Sequence, residues 1–77
     1  MKFTVGGEEF SLEKKDVERK LRGVAPEPIQ KIFVIVNGAK YPVKQALALS
    51  AGMIRAGFTT QYAFRIFRKL GFQLGEE

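Results

Sequence analysis

An unbroken apolar run next to an Asn-Gly pair constrains the fold of this chain more than any other feature. Ile32–Val36 are five apolar residues in succession, and Asn37-Gly38 follows directly. Asn-Gly is the preferred two-residue turn between antiparallel strands because both turn positions need positive φ. The pattern therefore predicts a central hairpin with Ala39–Tyr41 as the returning strand. A continuous apolar strand is typical of burial on both faces, so we expect the first or the last helix to cover each of them.

A second hairpin and a helix are predicted before this run. Lys2–Val5 and Glu8–Ser11 have the composition of short strands, and Gly6-Gly7 between them tolerates the positive φ of a tight turn. Ser11 is the expected N-cap of a helix that runs from about Leu12 to Arg22.

Two further helices and a strand are predicted after the central hairpin. We expect a helix over 42–51, a helix that runs to about residue 70 with Thr59 or Thr60 as its cap, and a short strand over 72–74. A glycine follows each of these helices and favours its end. The 77 residues therefore predict one α+β domain of order ββαββααβ, with two hairpins and a C-terminal strand packed with three helices.

The composition argues against most catalytic and metal-binding classes. The chain has no cysteine and no histidine, so the usual ligands of zinc, copper and iron and the usual bases of nucleophilic catalysis are missing. We expect neither enzymatic activity, nor a metal, nor a cofactor. No stretch approaches the roughly 18 to 20 apolar residues that span a bilayer, and the N-terminus lacks an apolar signal core. We therefore expect a cytoplasmic protein with no membrane partner.

The charges are distributed unevenly along the chain. Residues 28–75 contain seven Lys or Arg and no Asp or Glu, whereas the first 27 residues contain six bases and six acids, which cancel. A folded region with cations alone repels itself slightly but attracts polyanions. The distribution therefore indicates a nucleic-acid ligand.

The last predicted helix carries most of the candidate contacts. Arg65 and Arg68 follow Gln61 at i+4 and i+7, so the three side chains share one helix face. Such a face fits a nucleic-acid groove, with cations on phosphates and the N-terminal polar residues near base edges. The alternative is a solvated face whose cations only favour the C-terminal half of the helix dipole. The candidate contacts on this helix are Thr59, Thr60, Gln61, Arg65, Arg68 and Lys69.

Two cations outside this helix complete the candidate site. Lys44 falls in the first turn of a predicted helix, where a cation opposes the helix dipole unless an anion is bound there. The alternative is that its ammonium simply extends to water. Arg55, in the loop between the last two helices, extends the patch if the fold brings it to the same side, and otherwise is a solvated loop residue.

A short string of motifs resembles known domains. Three segments carry the resemblance: Asn37-Gly38-Ala39-Lys40-Tyr41-Pro42-Val43-Lys44, Phe58-Thr59 and Leu70-Gly71-Phe72. Together they resemble small actinobacterial-type domains and the N-terminal head region of HNH restriction endonucleases that attack modified DNA. The resemblance covers about residues 33–74 and carries over only Lys44 and Thr59 as contact residues. Because the chain has no nuclease or base-reading module, the resemblance implies an accessory, DNA-associated role and not cleavage.

These features together predict a small basic domain that binds phosphates of nucleic acid, DNA more readily than RNA, with weak sequence specificity. The alternative is a protein-interaction or dimerisation module whose cationic face meets an acidic partner.

Overall fold

Five strands and three helices follow the order ββαββααβ in the computed structural model, which describes residues 1–77. The predicted fold class and element order are confirmed. A short 3₁₀ helix, Arg55–Gly57, lies between the last two α-helices. The elements are β1 (Lys2–Val5), β2 (Glu8–Ser11), α1 (Lys14–Leu21), β3 (Ile32–Val36), β4 (Ala39–Pro42), α2 (Val43–Ala51), α3 (Thr60–Leu70) and β5 (Gln73–Glu76).

Both predicted hairpins form around their glycine-containing turns. Asn37 and Gly38 have φ of 53° and 79°, which is the positive-φ pair that a two-residue turn between β3 and β4 needs. β5 pairs with the other side of β3, so the antiparallel sheet has the order β4-β3-β5. β1 and β2 form a separate two-stranded sheet, in which Phe3 lies opposite Phe10.

The three helices pack on one face of the three-stranded sheet, so the prediction of a helix on each face of β3 is wrong. Val34 and Val36 belong to the single core cluster with residues of all three helices, whereas Phe33 and Ile35 alternate to the opposite face and lie outside that cluster. Phe33 is nevertheless buried. Its ring packs over Gly75, where a Cβ would overlap it, and the Lys40 ammonium lies 4.7 Å from its centroid. Local side chains thus shield the outer face in place of a helix.

Helix α1 begins later than predicted and has a different cap. Ser11 lies in β2 opposite Lys2, so it is not available as an N-cap. Glu13 is the N-cap, and its backbone N–H donates to the Asp16 carboxylate at 2.9 Å in a capping box. The intervening residue, Leu12, is buried in the core. The strand therefore ends at Ser11 as predicted, and the helix begins two residues later than local propensity alone predicted.

The caps of α2 and α3 agree with the predictions at three of their four ends. Gly52 and Gly71 follow the two helices in the left-handed conformation, with φ of 69° and 91°. The Thr59 hydroxyl accepts the Tyr62 N–H at 3.0 Å and caps α3. Pro42 ends β4 and precedes α2 instead of entering its first turn. None of the helices combines the length and apolar character that a membrane crossing needs.

Candidate functional site

The first turns of α2 and α3 open onto one surface cavity of about 440 Å³. The central strand β3 begins at this end of the sheet and β4 runs into α2 there, so the topology brings both helix N-termini together. The cavity contains four of the predicted site residues, Lys44, Arg55, Thr60 and Gln61, together with Lys31, which the sequence analysis did not single out.

Nothing acidic occupies the first turn of either helix. The N-cap of α2 is Pro42, whose side chain offers no hydrogen bond, and neither first turn contains an Asp or Glu. The first N–H groups of a helix have no partner within the helix and carry partial positive charge. Together with Lys31 and Lys44, these groups make the cavity attractive to an anion.

Lys44 has no carboxylate partner, although an aromatic ring lies close to it. The ion pairs of the structure do not include Lys44, and its ammonium lies 5.6 Å from the centroid of the buried Phe58 ring. A cation over an aromatic face is attracted by the ring quadrupole. This contact offsets part of the unfavourable helix dipole and leaves the ammonium hydrogens free for a ligand.

Arg55 is held in an ion pair, which corrects its predicted role as a free phosphate contact. Both terminal nitrogens of its guanidinium donate to the Glu27 carboxylate, at 2.6 and 2.5 Å. These hydrogen bonds are the main cause of the lowered pKa of Glu27; desolvation opposes them, and the charge of Arg55 adds a further lowering. The same hydrogen bonds raise the pKa of Arg55. Arg55 lines the same cavity as Lys44, but its charge is already neutralised there.

A buried glutamine explains why Glu27 sits beside Arg55. Gln45 is only 4% exposed. Its Oε1 accepts the Glu27 backbone N–H at 2.9 Å, and its Nε2 donates to the Ala25 carbonyl at 3.1 Å. The Tyr41 hydroxyl donates to the Val24 carbonyl at 2.7 Å. The bonds of Gln45 fasten the proline-containing connector to α2, and the bond of Tyr41 fastens it to β4. The neighbours of Gln45 in the sequence are a lysine and an alanine, so no apolar pattern in the sequence predicts these bonds.

The exposed face of α3 continues from the cavity. Ala63, Ile66 and Phe67 are buried, whereas Arg65, Arg68 and Lys69 are exposed and take part in no ion pair. Gln61 lines the cavity, so the two arginines one and two turns further on extend the same positive surface along the helix. Thr59 is exposed, but its hydroxyl oxygen is used as the cap.

The comparisons with known proteins assign a family. A family model described as SCO5918-like matches residues 1–77. The chain belongs to this family. No curated protein and no solved structure matches it. The SCO5918-like match does not bear on the HNH endonuclease resemblance, which stays a prediction.

Proposed function

We propose that this SCO5918-like domain binds nucleic acid through phosphates, DNA more readily than RNA, in a cytoplasmic role without catalysis. The observation that carries the proposal is the cavity between the first turns of α2 and α3, which has no acid in either turn and contains the unpaired Lys44. The exposed arginines of α3 extend from its edge. Four of the five predicted cations have no ion-pair partner: Lys44, Arg65, Arg68 and Lys69.

The dimensions of the surface suit a short stretch of backbone. From Gln61 to Arg68 the helix rises about 10 Å, and one strand of a duplex places a phosphate about every 3.4 Å of axis. One phosphate would occupy the cavity, bound by the first N–H groups of α2 and by Lys44. The following phosphates would meet Arg65 and Arg68 along α3.

Weak sequence specificity follows from the kinds of side chain present. Lys and Arg in this arrangement neutralise phosphates, which fix position but carry no sequence information. Only Thr60 and Gln61 offer neutral polar groups at the helix end that a recognition helix presents to bases. Most of the binding free energy would therefore be independent of sequence.

Charge reversal on α3 tests the proposal. We expect Arg65→Glu with Arg68→Glu to abolish binding of a labelled DNA duplex in fluorescence anisotropy, with an unchanged far-UV spectrum. The matched control is Lys15→Glu with Lys20→Glu, since both lysines are exposed, unpaired residues of α1 and the double change alters net charge equally. Equal losses of DNA affinity in the two variants would show that the effect comes from net charge alone. Unchanged affinity of the arginine variant would contradict the assignment of the site to α3.

The alternative function, a protein-interaction or dimerisation module, makes a different prediction in the same titration. It predicts no anisotropy change with duplex DNA, single-stranded DNA or RNA even at low salt, where phosphate contacts are strongest. Sedimentation would then distinguish a dimerisation module, which sediments as a dimer, from a module that binds an acidic partner, which sediments as a monomer when alone.

A further inference from the structure

One carboxylate lines a cavity that is otherwise free of acidic side chains. Glu27 is the only Asp or Glu around the cavity at the first turns of α2 and α3. Three cations, Lys31, Lys44 and Arg55, line the same cavity, and neither lysine has a carboxylate partner. Glu27 therefore cancels one of three positive charges at the proposed phosphate site, and it is the only negatively charged side chain there.

A buried hydrogen bond holds this carboxylate at the cavity. Gln45 is buried in α2, and its Oε1 accepts the backbone N–H of Glu27 at 2.9 Å. The connector cannot carry Glu27 away from the cavity without leaving the buried amide of Gln45 short of a partner. Only then does the side chain matter: the carboxylate accepts hydrogen bonds from both terminal nitrogens of Arg55. The backbone thus sets the position of the acid independently of the ion pair.

The carboxylate of Glu27 binds Arg55 in the way that a phosphate would. A guanidinium binds carboxylates and phosphates alike with pairs of parallel N–H groups. A phosphate that meets a guanidinium already neutralised by a carboxylate releases no counterion, so it gains little affinity from the contact. Both side chains of the pair are 46% exposed, and exposed ion pairs are weak. Loss of the negative charge would therefore leave Arg55 free to bind a ligand.

We propose that Glu27 limits the affinity of the phosphate site by competing with the ligand for Arg55, a role that rests on the proposed nucleic-acid function. The competing group is built into the chain, and the ligand is the phosphodiester backbone of DNA. While Glu27 is charged, the four unpaired cations bind phosphates and Arg55 does not. Without that charge, Arg55 becomes a fifth phosphate contact at the edge of the same cavity.

A purely structural role for Glu27 leads to a different expectation. If the ion pair with Arg55 only fastened the connector, loss of the charge would lower the free energy of unfolding and leave the affinity for DNA unchanged. Competition for Arg55 instead predicts that a variant which loses an internal interaction binds DNA more tightly. The direction of the change in affinity therefore separates the two roles.

Glu27→Gln tests the competition because it removes the charge but keeps the side-chain size and the backbone N–H. With a labelled DNA duplex in fluorescence anisotropy, we expect about tenfold tighter binding at about 0.1 M salt and a salt slope steeper by about 0.9, as one added phosphate contact requires. Glu9→Gln is the matched control, since Glu9 is exposed, unpaired and outside the cavity, and the change alters net charge equally. Equal affinity and slope in the two variants would overturn the proposal.

A second substitution identifies Arg55 as the source of the gain. In the Glu27→Gln background, Arg55→Gln should return the salt slope to that of the unaltered protein, because no fifth cation remains. A slope that stays steep would overturn the proposal. If the unaltered protein binds DNA and Glu27→Gln binds it no more tightly, only the competition by Glu27 is contradicted. If neither protein binds duplex or single-stranded DNA even at low salt, the proposed function is contradicted, and the competition with it.

Discussion

At the scale of single residues, the surface around the first turn of α2 is organised by side chains that bind the connector between α1 and β3. Gln45 bonds to the connector backbone on both sides of Pro26, and Arg55 binds the Glu27 carboxylate. The pairing of Arg55 with Glu27 could not be predicted from sequence because 28 residues separate them. The position of Lys44 in the first turn of a helix was predictable, since the unfavourable interaction of its charge with the helix dipole depends on local sequence alone.

The Glu27 carboxyl should titrate below its usual range. Hydrogen bonds from Arg55 are the main cause of its lowered pKa. Because the folded pKa lies below the unfolded one, the pair contributes stability above the unfolded pKa, and this contribution disappears as pH falls through the folded pKa. Carbon-detected NMR titration of Glu27 measures the midpoint. In Arg55→Ala the midpoint should return upward, and an unchanged midpoint would show that the ion pair does not form in solution.

Loss of the Gln45 amide should destabilise the fold although the side chain is uncharged. Gln45→Met keeps the approximate volume but leaves the Glu27 N–H and the Ala25 carbonyl without partners. We expect the free energy of unfolding to fall by about 1 to 3 kcal/mol, measured by urea denaturation. The exposed Gln73 on the outer sheet face provides the control, because Gln73→Met breaks no bond of this kind. Equal stability of the two variants would show that the hydrogen bonds of Gln45 to the connector do not stabilise the fold.

At the scale of elements, local signals predicted every α-helix and strand and their order, but not the 3₁₀ helix Arg55–Gly57. The turn at Asn37-Gly38 and the ends of α2 and α3 require positive φ. Asn and Gly are the residues that adopt positive φ most readily, so the sequence predicts these positions directly. Two predictions were wrong because their outcomes depend on tertiary contacts. Glu13 caps α1 in place of Ser11, which pairs with Lys2 in β2, and the outer face of β3 is covered by side chains and not by a helix.

The contact of Phe33 with Gly75 should be sensitive to a single methyl group. In Gly75→Ala the new Cβ would overlap the Phe33 ring, so the ring or the strand must shift. We expect a loss of about 1 to 3 kcal/mol in the free energy of unfolding, the usual cost of overpacking. Gly57→Ala is the matched control, since nothing lies within 4 Å of its new Cβ and its φ is not positive. A neutral Gly75→Ala would contradict the packing of this face.

At the scale of the whole molecule, the acid-free two-thirds of the chain brings part of its positive charge to one side. Lys31 and Lys44 lie at the cavity with the first turns of both helices, and α3 extends this surface. Lys40 departs from the pattern, because it covers Phe33 on the outer sheet face and pairs with Glu77 at 3.9 Å. Sequence predicted the charge excess but not this division, since only the topology determines which cations share a side.

The salt dependence of DNA binding tests the central claim most directly. If Lys44, Arg65, Arg68 and Lys69 each neutralise one phosphate, the slope of log affinity against log salt for duplex DNA should be about −3.6, from roughly 0.9 per contact. Fluorescence anisotropy at several salt concentrations measures it, and Lys44→Gln should make the slope less steep by about 0.9. A slope near zero, or one that Lys44→Gln leaves unchanged, would contradict the account.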